Sequence, residues 1–430
     1  MLMLMDVRET RLADGMRVVT SRIPRVESVS IGVWVGVGAR HESAKVSGIS
    51  HFIEHLLFKG TGRRTAGEIS RSIEGRGGYL NAFTQEENTC YYARVPSERI
   101  WSTLDVLLDM YADASLDEAE IEKEKNVIIE EIMMYRDQPQ HVVQDNLSVA
   151  LWEDHPLGRP IIGSAERLKN IGRSDLLSFR DRKYVSGNTI VAFAGHLEHD
   201  KCVKKVQQLT QGGRPGRRST CKKATPQVKQ KHIIRENRDI EQVHAAIGIR
   251  LFGYSDERRY TLKVLSAVLG ENMSSRLFQR IREKHGLAYS IHSGTHLYRD
   301  TGALLIAGGL VRSRYGKAIE LAAVELRKLK DKDVSRAELR RAKDYATGQL
   351  KLGMESTSHQ MIRAGENLLS HGRFLEPEDT IAAIEKVSAE DIRKLACSVL
   401  RPERISTSLV GKELGEMDDR RTRDCMSILG

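Results

Sequence analysis

The sequence predicts an α+β fold built from two similar domains, each a mainly antiparallel sheet packed with helices. One reason is that the predicted strands come in runs among pairs of helices rather than alternating strictly with them. The other is a repeat: a helix opening at Ser174 and a strand ending at Gly195 have counterparts that open at Ser388 and end at Gly411. The two offsets, 214 and 216 residues, are close to half of the 430-residue chain, which indicates a duplicated unit.

A stretch without apolar periodicity separates the two halves. Residues 210–230 carry glycines, prolines and many basic side chains, a composition typical of a linker. We therefore predict an N-terminal domain over residues 1–212, a linker over 213–230 and a C-terminal domain over 231–430.

The elements of the first domain follow from local patterns. Apolar residues alternate with small or polar ones from Val29 to Val37, which predicts a half-buried strand. Thr65 and Glu68 form a capping-box pattern that starts a helix, with Gly75 as its expected end. Further strands are predicted at 79–84, 89–95 and 190–194, and further helices at 47–58, 97–113, 117–135 and 199–209.

Composition narrows the class of protein. Hydrophobic residues make up 40% of the chain and charged residues 29%, as in soluble globular proteins, and no apolar run approaches the ~18 residues of a membrane span. The apolar segment at residues 1–5 is too short for the roughly 7–15-residue apolar core of a secretory signal. The cysteines lack CxxC spacing, so neither a disulfide framework nor a thiolate zinc site is predicted, and we expect a reducing, cytoplasmic location.

The formal charge of +10 raises nucleic acid as a possible partner. The charges are unevenly placed, however. Residues 98–137 hold twelve acids and four bases, whereas residues 200–236 hold eleven bases and two acids. Aromatic residues do not interleave with the bases, as they do in proteins that stack on single strands. We therefore expect no nucleic-acid partner.

The residues that carry chemistry lie on the first predicted helix. His51 and His55 are four positions apart, and Glu54 is three positions after His51, so all three share one helical face. Two imidazoles at this spacing can bind zinc. Glu54 would then lie beside a water at the open position of the ion and act as general base, then general acid. The alternative is a pair of surface histidines on an unrelated helix.

A catalytic zinc ion usually has three protein ligands. On the predicted helix 117–135, Glu130 falls opposite the isoleucine stripe, whereas Glu131 and Glu124 fall together at its edge. Glu131 is therefore a candidate third ligand and Glu124 a candidate supporting residue. The alternative is an acidic surface helix without a metal.

The segment from Gly48 to Thr61, GISHFIEHLLFKGT, resembles the active-site segment of the inverzincin peptidases, which include pitrilysin, insulin-degrading enzyme and the mitochondrial processing peptidase. This chain is similar to the short, bacterial-type members. The resemblance implies one zinc ion per chain held by His51, His55 and Glu131. It also implies that Glu124, seven positions before the third ligand, supports the site.

Two further stretches carry the resemblance. The residues Asn81, Ala82, Phe83 and Thr84 are similar to an edge strand to which peptide substrates add as an extra strand. The segment Ser274–Tyr289 is similar to a second-domain signature in which Arg282 and Tyr289 hold the substrate and stabilise the tetrahedral intermediate. Without the resemblance, Tyr289 would be an ordinary core or sheet tyrosine and Arg282 a solvated helix charge.

The repeat does not duplicate the candidate zinc site. Shifting His51 by half the chain leads to Ser266, in a stretch (SAVLG) without His or Glu. The N-terminal domain is thus the predicted peptidase domain, and the C-terminal domain its inactive homologue. Because the single-chain members of the family are roughly twice this length, the resemblance implies a homodimer, or a heterodimer with a related chain, that encloses a chamber. Arg282 and Tyr289 of one copy would then reach the zinc of the other.

These observations predict a zinc metalloendopeptidase that hydrolyses peptides or unfolded polypeptides inside a chamber. The alternative is a non-catalytic peptide-binding or scaffold subunit of the same fold, like the α subunit of the processing peptidase. The third interpretation is a nucleic-acid-binding protein, and it is based on net charge alone.

Overall fold

The computed structural model describes residues 6–224 and 233–430. Residues 225–230 of the predicted linker, and the first two residues of the predicted C-terminal domain, lie outside the described residues. The strands are β1 Asp6–Arg11, β2 Arg17–Arg22, β3 Ser28–Val35, β4 Tyr79–Thr84, β5 Thr89–Pro96, β6 Thr189–Gly195, β7 Ile233–Asn237, β8 Gln242–Leu251, β9 Ala288–Leu297, β10 Gly302–Val311 and β11 Ile405–Gly411. The helices are α1 Ile49–Leu57, α2 Ala66–Ile73, α3 Ile100–Asp113, α4 Glu118–Arg136, α5 Pro139–Trp152, α6 Ala165–Asn170, α7 Arg173–Lys183, α8 His199–Leu209, α9 Arg259–Leu269, α10 Tyr315–Asp331, α11 Arg336–Gly353, α12 Thr357–His371, α13 Pro377–Lys386, α14 Ala389–Val399 and α15 Glu416–Ser427, with a π-helical segment at Phe278–Lys284.

The described chain forms two compact units, each with its own sheet. The first takes in the chain up to Met133 together with Arg159–Lys222 and Lys351–Phe374. The second takes in Met134–Gly158, the described part of Lys223–Leu350, and Leu375–Gly430. None of the helices in these described ranges combines the length and apolar character needed to cross a bilayer.

The first unit is organised around a six-stranded sheet in the order β1-β2-β6-β3-β5-β4. Strands β2 and β6 run parallel, and the other neighbours are antiparallel. The strand predicted from Val29 to Val37 is β3, which ends at Val35. It was predicted to be half-buried, but it is buried on both faces, because Ile31 and Trp34, on opposite faces, are both 0% exposed. Strand β4 lies at the edge of the sheet, paired to β5 from Tyr79 opposite Arg94 to Thr84 opposite Thr89.

The second unit repeats this arrangement with five strands in the order β7-β11-β8-β10-β9. Its parallel pair is β7 and β11, and its other pairs are antiparallel. The same sequence of pairings links β2, β6, β3, β5 and β4 in the first unit. The predicted α+β class and the predicted duplication are both confirmed.

One helix in each unit comes from the other half of the chain. In the first unit, α12 lies on the sheet, where the Ser30 hydroxyl donates to Thr357 Oγ1 across 3.0 Å and the Trp34 indole N–H reaches the Met361 sulfur at 3.4 Å. In the second unit, α5 lies on the sheet, and the Ser406 hydroxyl donates to the carbonyl of Ala150 across 2.9 Å. The domain boundaries predicted from the sequence follow the chain continuously and do not include this exchange.

The capping box predicted for α2 is present, since the Thr65 hydroxyl accepts from the Glu68 N–H and the Glu68 carboxylate accepts from the Thr65 N–H. The α-helix ends at Ile73 with Glu74 as its C-cap, directly before the predicted stop at Gly75, but Gly75 is not the left-handed residue. A 3₁₀ turn at Glu74–Arg76 continues the helix, and Gly77 takes the left-handed conformation with φ of 80°. A glycine is favoured there because other residues pay a steric cost at positive φ.

Candidate metal centre

Helix α1 carries two of the predicted ligands, and its start is fixed by a buried carboxylate. Gly48 precedes the helix with φ of 96°, and a Cβ at this position would lie 2.7 Å from the carbonyl oxygen of Ile162. The Glu42 carboxylate accepts from the backbone N–H groups of Gly48 and Ser50 across 2.7 and 2.8 Å. It thereby satisfies two donors that the first helical turn leaves free. Burial raises the pKa of Glu42 to about 7, although these two hydrogen bonds act in the opposite direction.

The opposite sides of α1 have different surroundings. Phe52, Ile53 and Leu56 are buried in the core of the first unit, whereas His51 and His55 are partly accessible. The imidazole centroids of the two histidines are 4.6 Å apart. This is the shared face that the spacing predicted.

Helix α4 provides the third predicted ligand. Its isoleucines at 121, 128 and 132 are buried, and Glu130 is exposed. Glu131 is partly accessible and Glu124 is buried. The helix therefore turns Glu131 and Glu124 towards one side, as its periodicity indicated.

The structure brings His51, His55 and Glu131 together. Glu131 Oε2 lies 3.8 Å from His51 Nε2 and 3.5 Å from His55 Nε2, and one donor atom from each residue lies within 4.8 Å of the others. Around a tetrahedral zinc ion with bonds of about 2.1 Å, neighbouring ligand atoms are about 3.4 Å apart. The observed separations are therefore close to those that zinc requires.

The polar atoms of this cluster also fit a cation. Glu131 Oε2 is buried and accepts no hydrogen bond from the described residues. A buried carboxylate oxygen without a partner is costly, and a divalent ion between it and the two Nε2 atoms would satisfy it. Among residues 6–224 and 233–430, these three form the one group of His, Cys, Asp and Glu side chains with such an arrangement.

The two imidazoles are held differently. His55 Nδ1 lies 2.9 Å from Glu124 Oε1, so a proton on Nδ1 leaves the Nε2 lone pair directed at Glu131. The other oxygen of Glu124 lies 2.6 Å from the Lys59 ammonium. Burial alone would raise the pKa of Glu124, but the hydrogen bonds from His55 and Lys59 outweigh it and lower the pKa.

His51 has no such support. Its Nδ1 is buried without a hydrogen-bond partner among the described residues. Burial, together with the neighbouring His55, lowers its pKa to about 3. A neutral imidazole is the form that binds a metal, so His51 is ready to act as a ligand at ordinary pH.

Glu54 lies between the two histidines in the sequence of α1, and its side chain is buried. The Thr84 hydroxyl donates to Glu54 Oε2 across 2.5 Å. Burial raises the pKa of Glu54, and the hydrogen bond from Thr84 opposes that shift. A carboxylate with a raised pKa is better suited to take up a proton and release it again near neutral pH.

The predicted substrate strand is the edge strand β4. The Thr84 side chain turns towards α1, whereas the Phe83 ring packs edge-on against Trp34 with centroids 5.5 Å apart. The Ala82 N–H donates to Asn81 Oδ1 across 2.8 Å, and the Asn81 amide donates to the Tyr79 hydroxyl across 2.6 Å.

Arg282 and Tyr289 belong to the second unit. Arg282 is on the π-helical segment, and Tyr289 is near the start of β9, the edge strand of the second sheet. The Arg282 guanidinium lies 5.6 Å from the centroid of the Tyr289 ring. Tyr289 is 79% exposed, so it is not a core residue.

Sequence reasoning missed three contacts of this centre. The first is the ion pair of Lys59 with Glu124. Lys59 follows His55 by four positions, and this spacing could have indicated that the two side chains lie on the same side. The contact of Thr84 with Glu54, and that of Glu42 with the start of α1, join segments whose proximity depends on the folded sheet. No local pattern indicates these two contacts.

Comparison with known proteins identifies the family of this chain. Residues 17–165 match the family model Insulinase (Peptidase family M16), and residues 170–345 match the model Peptidase M16 inactive domain. An uncharacterized zinc protease of Mycobacterium tuberculosis is 39% identical over 399 residues, which cover 91% of this chain and 90% of that protein. An uncharacterized zinc protease of Bacillus subtilis is also 39% identical, over 383 residues that cover 89% of this chain and 93% of that protein.

Solved structures share the fold. A protease from Helicobacter pylori superimposes with a TM-score of 0.88 at 21% identity, covering 95% of this chain and 100% of that one. An M16-like peptidase from Alicyclobacillus acidocaldarius superimposes with a TM-score of 0.82 at 19% identity, covering 95% and 99% of the two chains. The resemblance to the inverzincins is confirmed by the family models and by the relatives, and the chain belongs to the M16 family of peptidases.

Proposed function

We propose that this protein is a zinc metalloendopeptidase that hydrolyses peptides or unfolded polypeptides. The observation that carries the proposal is the approach of His51, His55 and Glu131 to within ligand distance of one another, with a buried Glu131 oxygen that accepts no hydrogen bond among the described residues. These three side chains would hold one zinc ion per chain. Glu124 would support the site through His55.

The chemistry divides between the ion and the side chains. A bound zinc ion supplies Lewis-acid polarisation of the scissile carbonyl and lowers the pKa of water at its open position. Because Thr84 occupies Glu54 Oε2, the other oxygen of Glu54 is the one that takes the proton from the attacking water. Glu54 then returns this proton to the leaving amine.

Substrate would bind as an additional strand at the edge of β4. Main-chain pairing of this kind recognises an extended peptide rather than a particular sequence. A peptide that pairs with the Ala82 N–H displaces the Asn81 side chain, which holds this group in the structure. The Phe83 side chain faces the opposite side of the strand from Thr84, so Phe83 would contribute through its main chain.

Two copies of the chain, or one copy and a related chain, would enclose the chamber. The exposed Tyr289 and the adjacent Arg282 support this proposal, since a phenol O–H and a guanidinium can both stabilise a developing oxyanion. Light scattering tests for the dimer, and an active monomer at assay concentration would contradict it. Mixing Glu54→Gln with Tyr289→Phe should restore activity if the two roles lie on different copies.

The hydrolase proposal is tested with Glu54→Gln. This variant should keep a stoichiometric zinc ion, measured by elemental analysis, and lose hydrolysis of an unstructured peptide. The wild-type activity should disappear with a chelator and return with zinc. Hydrolysis by Glu54→Gln at the wild-type rate would overturn the role of Glu54. A wild-type protein that binds zinc but cuts no peptide would instead favour the non-catalytic, peptide-binding alternative.

The proposal involves neither a nucleic acid nor a membrane as partner. The cytoplasmic location stays a prediction from the sequence.

A further inference from the structure

Lys59 is tied to the metal centre through one intervening residue. Helix α1 ends at Leu57, and the turn that follows is fixed by the Lys59 N–H, which donates to the carbonyl of Leu56 across 3.1 Å. From this turn the Lys59 ammonium reaches Glu124 Oε2 at 2.6 Å. Glu124 Oε1 lies 2.9 Å from His55 Nδ1. The three side chains thus form a line of Lys59, Glu124 and His55.

The two oxygens of the buried Glu124 carboxylate have different partners, His55 and Lys59. The Glu124 side chain is 5% exposed, whereas the Lys59 side chain is 31% exposed. Without Lys59, Glu124 Oε2 would be buried with its charge unmatched, which is costly. The carboxylate would then be free to turn away from His55 to find another donor or water.

The orientation of His55 depends on that carboxylate. A carboxylate that accepts from Nδ1 fixes the tautomer and the ring angle of a metal-binding histidine. The other imidazole lacks such support, because His51 Nδ1 is buried without a partner among the described residues. Ligand orientation in this centre therefore relies on the single carboxylate that Lys59 holds.

We propose that Lys59 is a positioning residue of the zinc centre, which holds Glu124 so that His55 presents Nε2 to the ion. This inference rests on the proposed function for the presence of zinc. It assigns to Lys59 no contact with substrate or with the reacting atoms.

The chain offers a matched control. Lys123 lies 2.6 Å from Glu120, the same separation as in the pair of Lys59 with Glu124, and it precedes Glu124 directly on α4. The Lys123 side chain is 69% exposed, and within the described part of the chain its ion pair does not contact a histidine. Loss of an exposed pair of this kind should have little effect.

The experiment measures zinc affinity of the full chain by competition with a chelating indicator, with no substrate present. Lys59→Met should weaken zinc binding about 10-fold, at the lower end of the ~10–100-fold losses seen for residues behind metal ligands. Lys59→Arg, which keeps the charge, should restore most of the affinity, and Lys123→Met should bind as the wild type does. Zinc affinity of Lys59→Met equal to that of Lys123→Met would overturn the proposal.

A double-mutant cycle separates positioning from a general structural effect. If Lys59 acts through Glu124, Lys59→Met should weaken zinc binding in the wild-type background and have little further effect in the Glu124→Gln background. An equal loss in both backgrounds would mean that Lys59 acts by another route, and the proposal would fail. Because no hydrolysis is measured, this outcome is independent of whether the protein cuts peptides.

Discussion

The hydroxyl of Thr84 donates a hydrogen bond to the carboxylate of Glu54 across 2.5 Å. Thr84 is the last residue of the edge strand β4, and Glu54 lies on α1 between the two predicted histidine ligands. The same strand that would receive substrate therefore also orients the proposed general base. This link has consequences that can be measured separately from zinc binding.

Thr84→Val should lower kcat by about 10- to 100-fold, because a general base that is free to rotate loses part of the ~10²–10⁴-fold contribution of positioned proton transfer. Valine keeps the branched shape and the main-chain pairing of the strand, so zinc content and KM should change little. Thr84→Ser, which retains the hydroxyl, should recover most of the rate. Equal rates for the valine and serine variants would show that the hydroxyl is dispensable.

Neighbouring glutamates on α4 should differ in their effect on zinc. Glu131 faces the two histidines, whereas Glu130 is exposed. Glu131→Ala should weaken zinc binding by more than the ~10–100-fold typical of a supporting residue, because it removes one of the three proposed ligands. Glu130→Ala should leave the affinity unchanged. Equilibrium dialysis with zinc measures both, and equal affinities for the two variants would exclude Glu131 as a ligand.

Glu42 should make stability depend on pH in the mildly acidic range. Burial raises its pKa from 4.5 to about 7 in the folded protein, so the folded state holds this proton more tightly than the unfolded state does. The contribution of Glu42 to the free energy of unfolding therefore decreases as pH rises from about 4.5 to about 7, and it is constant above this range. At ~1.36 kcal/mol per pKa unit, the decrease is on the order of 3 kcal/mol.

The measurement compares wild type with Glu42→Gln, which cannot ionise, by denaturant unfolding of the zinc-free proteins at pH 5 and pH 8. The difference between the two proteins cancels the titration of all other groups. We expect the wild type to lose about 2.5 kcal/mol relative to the variant between these values, since pH 5 is already above the unfolded pKa. A difference that does not change with pH would mean that Glu42 titrates normally.

Local periodicity predicted much of the fold and the helical faces that carry the candidate metal centre. The spacing of His51 and His55 indicated a shared helical face, and the isoleucine stripe of α4 indicated which glutamate turns inward. These features depend on residues within two or three turns of one helix. The same holds for the capping box at Thr65, which involves residues three positions apart.

Features that depend on distant parts of the chain were not predicted. The exchange of α5 and α12 was missed because an amphipathic helix shows that it has an apolar face, not which sheet covers that face. The contacts of Lys59 with Glu124 and of Thr84 with Glu54 likewise join segments far apart in sequence.

The packing of α12 on the first sheet can be tested through two glycines in helices. A methyl group at Gly365 would lie less than 3.0 Å from the indole of Trp34, which is fully buried and cannot move aside. Gly365→Ala should therefore destabilise the protein by about 1–3 kcal/mol, as overpacking does in other cores. Gly348 is in α11, and no atom of the described residues lies within 4 Å of the methyl group that alanine would add there.

Gly348→Ala should instead stabilise the protein by roughly 0.5–1 kcal/mol, since alanine is the better helix former. Both substitutions make the same chemical change in a helix. If their effects on the free energy of unfolding have opposite signs, the difference comes from the close approach of α12 to the sheet. Denaturant unfolding monitored by tryptophan fluorescence provides the free energies. A stabilising effect of both substitutions would mean that α12 does not lie against Trp34.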